Sequence, residues 1–111
     1  MIYIDSPAGV GYSYYDGDAP SYDDENTAED NYEIIKQFFL KFPELKDNSF
    51  YIAGESYAGI YVPFLAHKIA IEKKDTTINI KGILVGNGVT DPKYDDTSLL
   101  AMSFWHNLID K

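Results

Sequence analysis

The stretch Ser49-Phe50-Tyr51-Ile52-Ala53-Gly54-Glu55-Ser56-Tyr57-Ala58-Gly59 decides the fold of this chain. It begins as a short apolar segment, passes through a turn of small residues, and continues into a segment with helical spacing. This order predicts a buried strand, a sharp turn and an amphipathic helix. Ser56 lies at the apex of the turn, where the glycines at positions 54 and 59 allow strand and helix to approach each other closely.

Two interpretations of Ser56 fit this local pattern. A serine at a strand-to-helix corner has its Oγ directed away from the sheet, with the following backbone N–H groups pointing towards it. That arrangement is the nucleophile elbow of α/β-hydrolases. The general elbow pattern has glycine at position 58, where this chain has Ala58. The alternative is a serine that caps a helix beginning near Tyr57.

The rest of the chain alternates between apolar strands and helices. Strands are predicted at Met1–Asp5, in the segment before Ser56, and at Ile78–Val85. Helices are predicted at about Ala28–Phe42, Tyr57–Lys73 and Leu99–Trp105. The strands are short and almost wholly apolar, which is typical of strands that are buried on both faces. We therefore predict an α/β fold: a three-layer αβα arrangement around a parallel sheet.

The ends of the first predicted helix carry recognisable signals. Thr27 followed by Asp30 resembles a capping box, which would begin the helix. Pro43 follows the last apolar position and would end it. We expect this helix to contribute packing and no chemistry.

Three loops follow the carboxyl ends of the predicted strands: the loop after Asp5, the turn at Ser56 and the loop after Gly86. Chemistry in open parallel sheets takes place at this edge. The topology therefore favours the elbow interpretation of Ser56. Asn87 follows Gly86 and is expected either to line the same edge or to serve only as a turn residue.

A serine nucleophile needs a general base, and the chain contains two histidines. His67 lies eleven residues beyond Ser56 on the same predicted helix, which places it roughly 16 Å away and excludes it. The order Ser56, Asp91, His106 matches the order of nucleophile, acid and base in α/β-hydrolases. The alternative is that His106 is a structural residue at a helix C-terminus.

Composition excludes several other functions. The formal net charge is −9, which argues against nucleic acid or an anionic membrane as a partner. There is no cysteine, no apolar run long enough to span a membrane, and no signal-peptide pattern. Gly9 and Gly11 lack the lysine of a phosphate-binding loop, and Asp16 and Asp18 lack the rest of a calcium loop. We predict one domain, 1–111, with no cofactor and no metal; its oligomeric state is not determined by the sequence.

Three phrases together resemble the serine carboxypeptidase family. They are Ile4-Asp5-Ser6-Pro7-Ala8-Gly9-Val10-Gly11-Tyr12-Ser13-Tyr14, Gly54-Glu55-Ser56-Tyr57-Ala58-Gly59-Ile60-Tyr61-Val62-Pro63, and Gly86-Asn87-Gly88-Val89-Thr90-Asp91. The resemblance runs from Met1 to Lys111, and Ala58 is what that family has at its position. It implies a hydrolase that removes C-terminal residues from peptides at acid pH, in lysosomes, vacuoles or after secretion. Family members are several hundred residues long, so this chain resembles an N-terminal-to-central fragment.

The resemblance also implies roles for individual residues. Ser56 corresponds to the nucleophile that forms the acyl-enzyme. The backbone N–H of Tyr57 corresponds to one donor of the oxyanion hole, and Glu55 to the residue that binds the terminal carboxylate of the substrate. The alternative for Glu55 is a solvent-facing turn residue. The catalytic aspartate and histidine, and an upstream Asn-Gly-Gly-Pro-Gly loop, would lie outside this chain.

Three functions are compatible with this sequence. The first is a segment of a serine-type carboxypeptidase acting on peptides with a free C-terminus. The second is a related acyltransferase that uses the same acyl-enzyme. The third is an inactive truncated product or pseudoenzyme that acts, if at all, by binding.

Overall fold

The computed structural model describes residues 1–110. The elements, in chain order, are helix α1 (Asp24–Lys41), a 3₁₀ turn (Pro43–Leu45), strand β1 (Phe50–Glu55), helix α2 (Ala58–His67), a π-helical turn (Lys68–Glu72), strand β2 (Ile80–Gly86) and helix α3 (Pro92–Trp105). The strand–helix–strand order along the chain matches the order predicted for residues 24–110.

Helix α1 begins earlier than the sequence pattern indicates. The side chain of Asp23 accepts a hydrogen bond from the backbone N–H of Asn26 at 2.7 Å, so Asp23 is the N-cap. The prediction of a capping box at Thr27 is wrong, because Thr27 lies inside the first turn and donates its hydroxyl to the Asp23 carbonyl at 2.7 Å. Aspartate and threonine both favour the N-cap position, and Asp23, whose backbone is extended, occupies it here.

Helix α2 continues directly into the π-helical turn, and together the two cover almost the whole predicted span from Tyr57 to Lys73. Pro63 is the sixth residue of α2, beyond the first turn, so the Gly59 carbonyl lacks the N–H that would normally bond it there. The chain leaves the turn through Lys74, whose φ of 49° is left-handed. A left-handed residue after a helix is a common way to end it.

The two strands form a parallel pair, in which Glu55 lies opposite Gly86. Parallel neighbours need a crossover, which here is α2 with the π-helical turn. This confirms the predicted α/β class with a parallel sheet. Because β1 and β2 run in the same direction, their carboxyl ends lie at one edge, where Ser56 and Asn87 follow.

The hydrophobic core lies between one face of the sheet and the helices α1 and α2. Its buried side chains are Tyr32, Ile35, Phe39, Leu65, Ile69 and Ile78, and Phe50, Ile52 and Ile80 of the strands pack against them. The core residues of α1 recur at spacings of three and four, as the apolar pattern of that segment predicts.

Two predictions about strands are wrong for residues 1–110. Met1–Asp5 forms no strand; instead the Asp5 carboxylate accepts the Tyr12 N–H at 2.9 Å within the following loop. Nor are both sheet faces buried, since Tyr51 is 56% and Leu84 55% exposed. Helix α3 has no buried residue. An apolar sequence indicates that a segment tends to be buried. It becomes a strand only if another strand lies beside it to form hydrogen bonds, and a sheet face is buried only if another element packs on it.

Candidate active site

Ser56 connects β1 to α2 in a left-handed conformation. Its φ is 62°, a value that costs free energy for a residue with a Cβ and that is characteristic of strained functional turns. The side chain is exposed. The cap position of α2 is taken by Tyr57, without a side-chain hydrogen bond, so the interpretation of Ser56 as an ordinary N-cap is wrong.

Two glycines make this turn possible by their lack of a side chain. A Cβ at Gly54 would clash with the Cβ of Ala58 and lie 3.0 Å from Val62 Cγ2. A Cβ at Gly59 would collide with the backbone of Val89. The close approach therefore explains why Ala is tolerated at position 58: the strand residue opposite it is Gly54.

The backbone of Ser56 is hydrogen-bonded on both sides. Its N–H donates to the Gly86 carbonyl at 3.1 Å, which continues the parallel ladder beyond Glu55. Its carbonyl accepts two hydrogen bonds, from the Gly59 N–H at 3.0 Å and from the Val89 N–H at 2.9 Å. The loop after β2 thus contacts the turn directly.

The next amide is free within the described part of the chain. No carbonyl or side chain of residues 1–110 accepts a hydrogen bond from the Tyr57 N–H. It belongs to the first turn of α2, where unpaired N–H groups and the helix dipole favour negative charge. A free donor beside an exposed serine hydroxyl can stabilise an oxyanion formed there.

The Tyr57 side chain joins the turn to the start of α1. Its hydroxyl donates to the Asp24 carboxylate at 3.2 Å, and its ring meets Tyr61 edge to face at a centroid distance of 4.9 Å. The hydrogen bond to Asp24 raises the pKa of Tyr57. Sequence reasoning missed this contact, because the two residues are 33 positions apart and no local pattern relates them.

Glu55 and Asn87 both lie at the carboxyl edge of the sheet. Glu55 is the last residue of β1 and is exposed. Asn87 is exposed as well, with a left-handed φ of 46° that asparagine tolerates better than most residues. The structure therefore brings both residues to the edge that carries Ser56, and the turn interpretation of Asn87 agrees with its backbone.

Neither histidine is joined to Ser56 within residues 1–110. His67 Nδ1 lies 3.1 Å from Glu72 Oε1, and its side chain is 58% exposed, as expected for a helix-surface residue. Asp91 caps α3 by accepting the Lys93 N–H at 3.0 Å, whereas His106 follows the last residue of that helix. The 14 residues of α3 separate them, a length of about 20 Å, so Ser56, Asp91 and His106 do not form a triad.

Across residues 1–110, no group of histidine, aspartate and glutamate side chains is arranged to hold a metal ion. None of the described helices is both long and apolar enough to cross a membrane.

A parallel strand that ends in a left-handed serine, followed at once by a helix over the sheet, is the arrangement found at the nucleophile position of α/β-hydrolases. The chain spans 96% of its length and 25% of the other chain in a match to Kex1(delta)p, a prohormone-processing carboxypeptidase of Saccharomyces cerevisiae. That match has a TM-score of 0.83 and 31% sequence identity. The fold is therefore part of the α/β-hydrolase fold of that class of protein.

The serine carboxypeptidase family profile matches residues 1–111. The chain is 45% identical over 109 residues to the lysosomal protective protein of Mus musculus, covering 98% of this chain and 22% of that protein. It is 44% identical over 92 residues to the vacuolar serine-type carboxypeptidase ATG42 of Saccharomyces cerevisiae, covering 83% of this chain and 18% of that one. The chain belongs to the serine carboxypeptidase family, and it spans about a quarter or less of the length of these relatives.

Proposed function

We propose that this chain is the nucleophile-bearing segment of a serine-type carboxypeptidase. In the intact enzyme, Ser56 Oγ attacks the carbonyl carbon of the last peptide bond, the C-terminal residue leaves, and water hydrolyses the resulting acyl-enzyme. The observation that carries the proposal is the exposed Ser56 at φ 62°, followed by the Tyr57 N–H, which has no hydrogen-bond acceptor among residues 1–110. Residues 1–111 are then part of one α/β-hydrolase domain.

The Tyr57 N–H is the proposed oxyanion donor. The negative charge of the tetrahedral intermediate develops on the former carbonyl oxygen, and a preorganised amide stabilises it without rearrangement. The position of this amide at the start of α2 adds the positive end of the helix dipole. A second donor is expected from sequence outside the chain.

Glu55 is proposed to bind the terminal carboxylate of the substrate. Two carboxyl groups in contact repel each other when both are ionised, so one of them must hold a proton. Binding is then favoured at acid pH, which suits the lysosomal and vacuolar settings named for two relatives. We propose a lysosomal, vacuolar or secreted enzyme acting on peptides with a free C-terminus, with Asn87 lining the edge of its site.

The general base is proposed to come from sequence outside these residues. His67 is paired with Glu72, and His106 lies at the C-terminal end of α3. The chain also spans only about a quarter of the lysosomal protective protein. A histidine oriented by an aspartate would take the proton from Ser56 and return it to the leaving amine.

Covalent labelling tests the nucleophile. The intact enzyme should react with a fluorophosphonate probe and release the last residue from a blocked dipeptide, and Ser56→Ala should abolish both. Ser98→Ala is the matched control, because Ser98 is exposed and its hydroxyl bonds the Asp95 carbonyl within α3. Labelling that persists in the Ser56 variant would overturn the assignment. Labelling at Ser56 with transfer to an alcohol in place of water would indicate the related acyltransferase.

A further inference from the structure

The segment from Gly86 to Val89 contacts the serine turn through backbone hydrogen bonds. The Gly86 carbonyl accepts the Ser56 N–H at 3.1 Å, and the Val89 N–H donates to the Ser56 carbonyl at 2.9 Å. The segment therefore has one hydrogen bond on each side of the Ser56 Cα.

The bond to the Ser56 carbonyl has a consequence for the neighbouring amide. The carbonyl of Ser56 and the N–H of Tyr57 belong to one planar trans peptide group, in which the two bonds point in opposite directions. A hydrogen bond that fixes the direction of the Ser56 carbonyl therefore also fixes the Tyr57 N–H, which points the opposite way. Two donors hold it here, Gly59 from within the turn and Val89 from the neighbouring strand's loop.

The approach of the two backbones depends on a pair of glycines. A Cβ at Gly59 would collide with the Val89 backbone. A Cβ at Gly88 would clash with Val85 Cγ1 and lie 3.0 Å from the Gly59 Cα. Larger residues at either position would push the Val89 N–H out of reach of the Ser56 carbonyl.

We infer that Gly86–Val89 is a positioning segment for the oxyanion donor, in which the Val89 N–H sets the direction of the Tyr57 N–H by holding the Ser56 carbonyl. This rests on the proposed function for its catalytic meaning. The orientation of the peptide group can be measured independently of activity. Val89 acts here through Ser56 and Tyr57, as a positioning residue.

An amide-to-ester exchange at Val89 in the intact enzyme tests the inference. It replaces the N–H by an oxygen and keeps the side chain. The matched control is the same exchange at Thr90, whose N–H donates to Asp95 Oδ2 at 2.8 Å and has no link to the turn. Each exchange removes one hydrogen bond, so the two variants are expected to lose a similar amount of stability.

The Val89 ester should lower kcat/KM for peptide hydrolysis by about tenfold or more, a part of the roughly 10²–10³-fold cost of losing an oxyanion donor. KM should change little, and the Thr90 ester should stay near the unmodified enzyme. In crystal structures, the Ser56–Tyr57 peptide group should be rotated or doubly occupied only in the Val89 ester. An unchanged peptide group together with unchanged kcat would overturn the inference. A rotated group in a protein that shows no Ser56-dependent hydrolysis would support the positioning and overturn the proposed function.

A second variant covers the case in which the Val89 ester does not fold. Gly88→Ala should lower kcat because its methyl group meets Val85 Cγ1. Adding Val85→Ala removes that atom and should restore part of the loss. Equal kcat in the single variant and the wild type would overturn the inference.

Discussion

The turn at Ser56 depends on close packing between two small residues, Gly54 and Ala58. Gly54 has no Cβ, and the Ala58 methyl group occupies the volume that such a Cβ would need. The pattern of small residues was visible in the sequence. Which small residue faces which is a fact of the tertiary structure, since it depends on the angle at which α2 leaves the sheet.

Gly54→Ala should destabilise the intact enzyme by about 1–3 kcal/mol, the usual cost of overpacking. Urea unfolding would measure the loss, and Ala58→Gly in the same chain should recover part of it. The control is Gly82→Ala, where the nearest atoms are those of the Tyr51 ring at 3.5 Å, an ordinary contact. Equal losses in the two single variants would contradict the argument.

Glu55→Ala should reduce kcat/KM for peptides with a free C-terminus by roughly ten- to a hundredfold, because a charge-assisted hydrogen bond contributes about 1.5–3 kcal/mol. Ester substrates with a blocked C-terminal group should be affected far less, since Ser56 and the Tyr57 amide are unchanged. The peptidase optimum should also move towards neutral pH. Equal losses on both substrates would mean that Glu55 only supports the turn.

At the scale of elements, a cluster of charges joins α1 to the π-helical turn. The Lys68 side chain is only 4% exposed, and its Nζ lies 2.6 Å from Glu25, 3.1 Å from Glu29 and 3.2 Å from Glu72. Lys73 adds a second ion pair to Glu29 at 2.9 Å. The hydrogen bond to Glu25 contributes most to raising the pKa of Lys68. The pKa of Glu29 is lowered, mainly by Lys73, and that of Glu72 is lowered, mainly by Lys68.

Lys68→Met should destabilise the intact enzyme at pH 7 by about 1–3 kcal/mol. This is less than the loss of a fully buried pair, because the three carboxylates are 40–59% exposed. The matched control is Lys36→Met, which removes the exposed pair with Glu33 and the contact of the Lys36 ammonium with the Tyr32 ring at 5.1 Å. It should cost less than Lys68→Met, because solvent screens an exposed pair.

The pH dependence of that loss has a definite sign. Carboxylates with lowered pKa stabilise the wild type above their ordinary values, near pH 4.5, and the stabilisation is lost as the pH falls through the lowered values. The variant leaves three carboxylates facing one another, so acid relieves their repulsion. The difference in unfolding free energy between wild type and Lys68→Met should therefore shrink as the pH falls below about 4.5, the ordinary value from which the pKa of Glu29 and of Glu72 is lowered. A difference that grows on acidification would refute this account.

At the scale of the whole molecule, the described chain is more extended than a compact domain of its length. Its radius of gyration is 17.4 Å, against about 13 Å expected. Apolar side chains remain open on the uncovered sheet face and on α3, including Tyr51, Leu84 and Trp105. Exposed apolar patches and open strand edges favour association.

The isolated 111-residue chain should therefore aggregate or unfold without a cooperative transition. Size-exclusion chromatography combined with a thermal scan would measure this. A monodisperse monomer with a sharp transition would contradict the expectation.

The isolated chain should also show no Ser56-dependent turnover of a blocked dipeptide at pH 4 to 7, because an unactivated serine is a poor nucleophile. Turnover that is lost on Ser56→Ala would disprove this and would require a base within the chain.

The sequence alone determined the class, and the order of the elements from residue 24 onward, because helical spacing, apolar strands and a small-residue turn are local patterns. It also placed Ser56, Tyr57, Glu55 and Asn87 at one edge, since parallel strands bring their carboxyl ends together. Only the tertiary structure decided that Met1–Asp5 is not a strand, that one face of the sheet is open, and that Asp24 and Val89 contact the turn. Each of these depends on a partner distant in sequence, and local patterns carry no information about such partners.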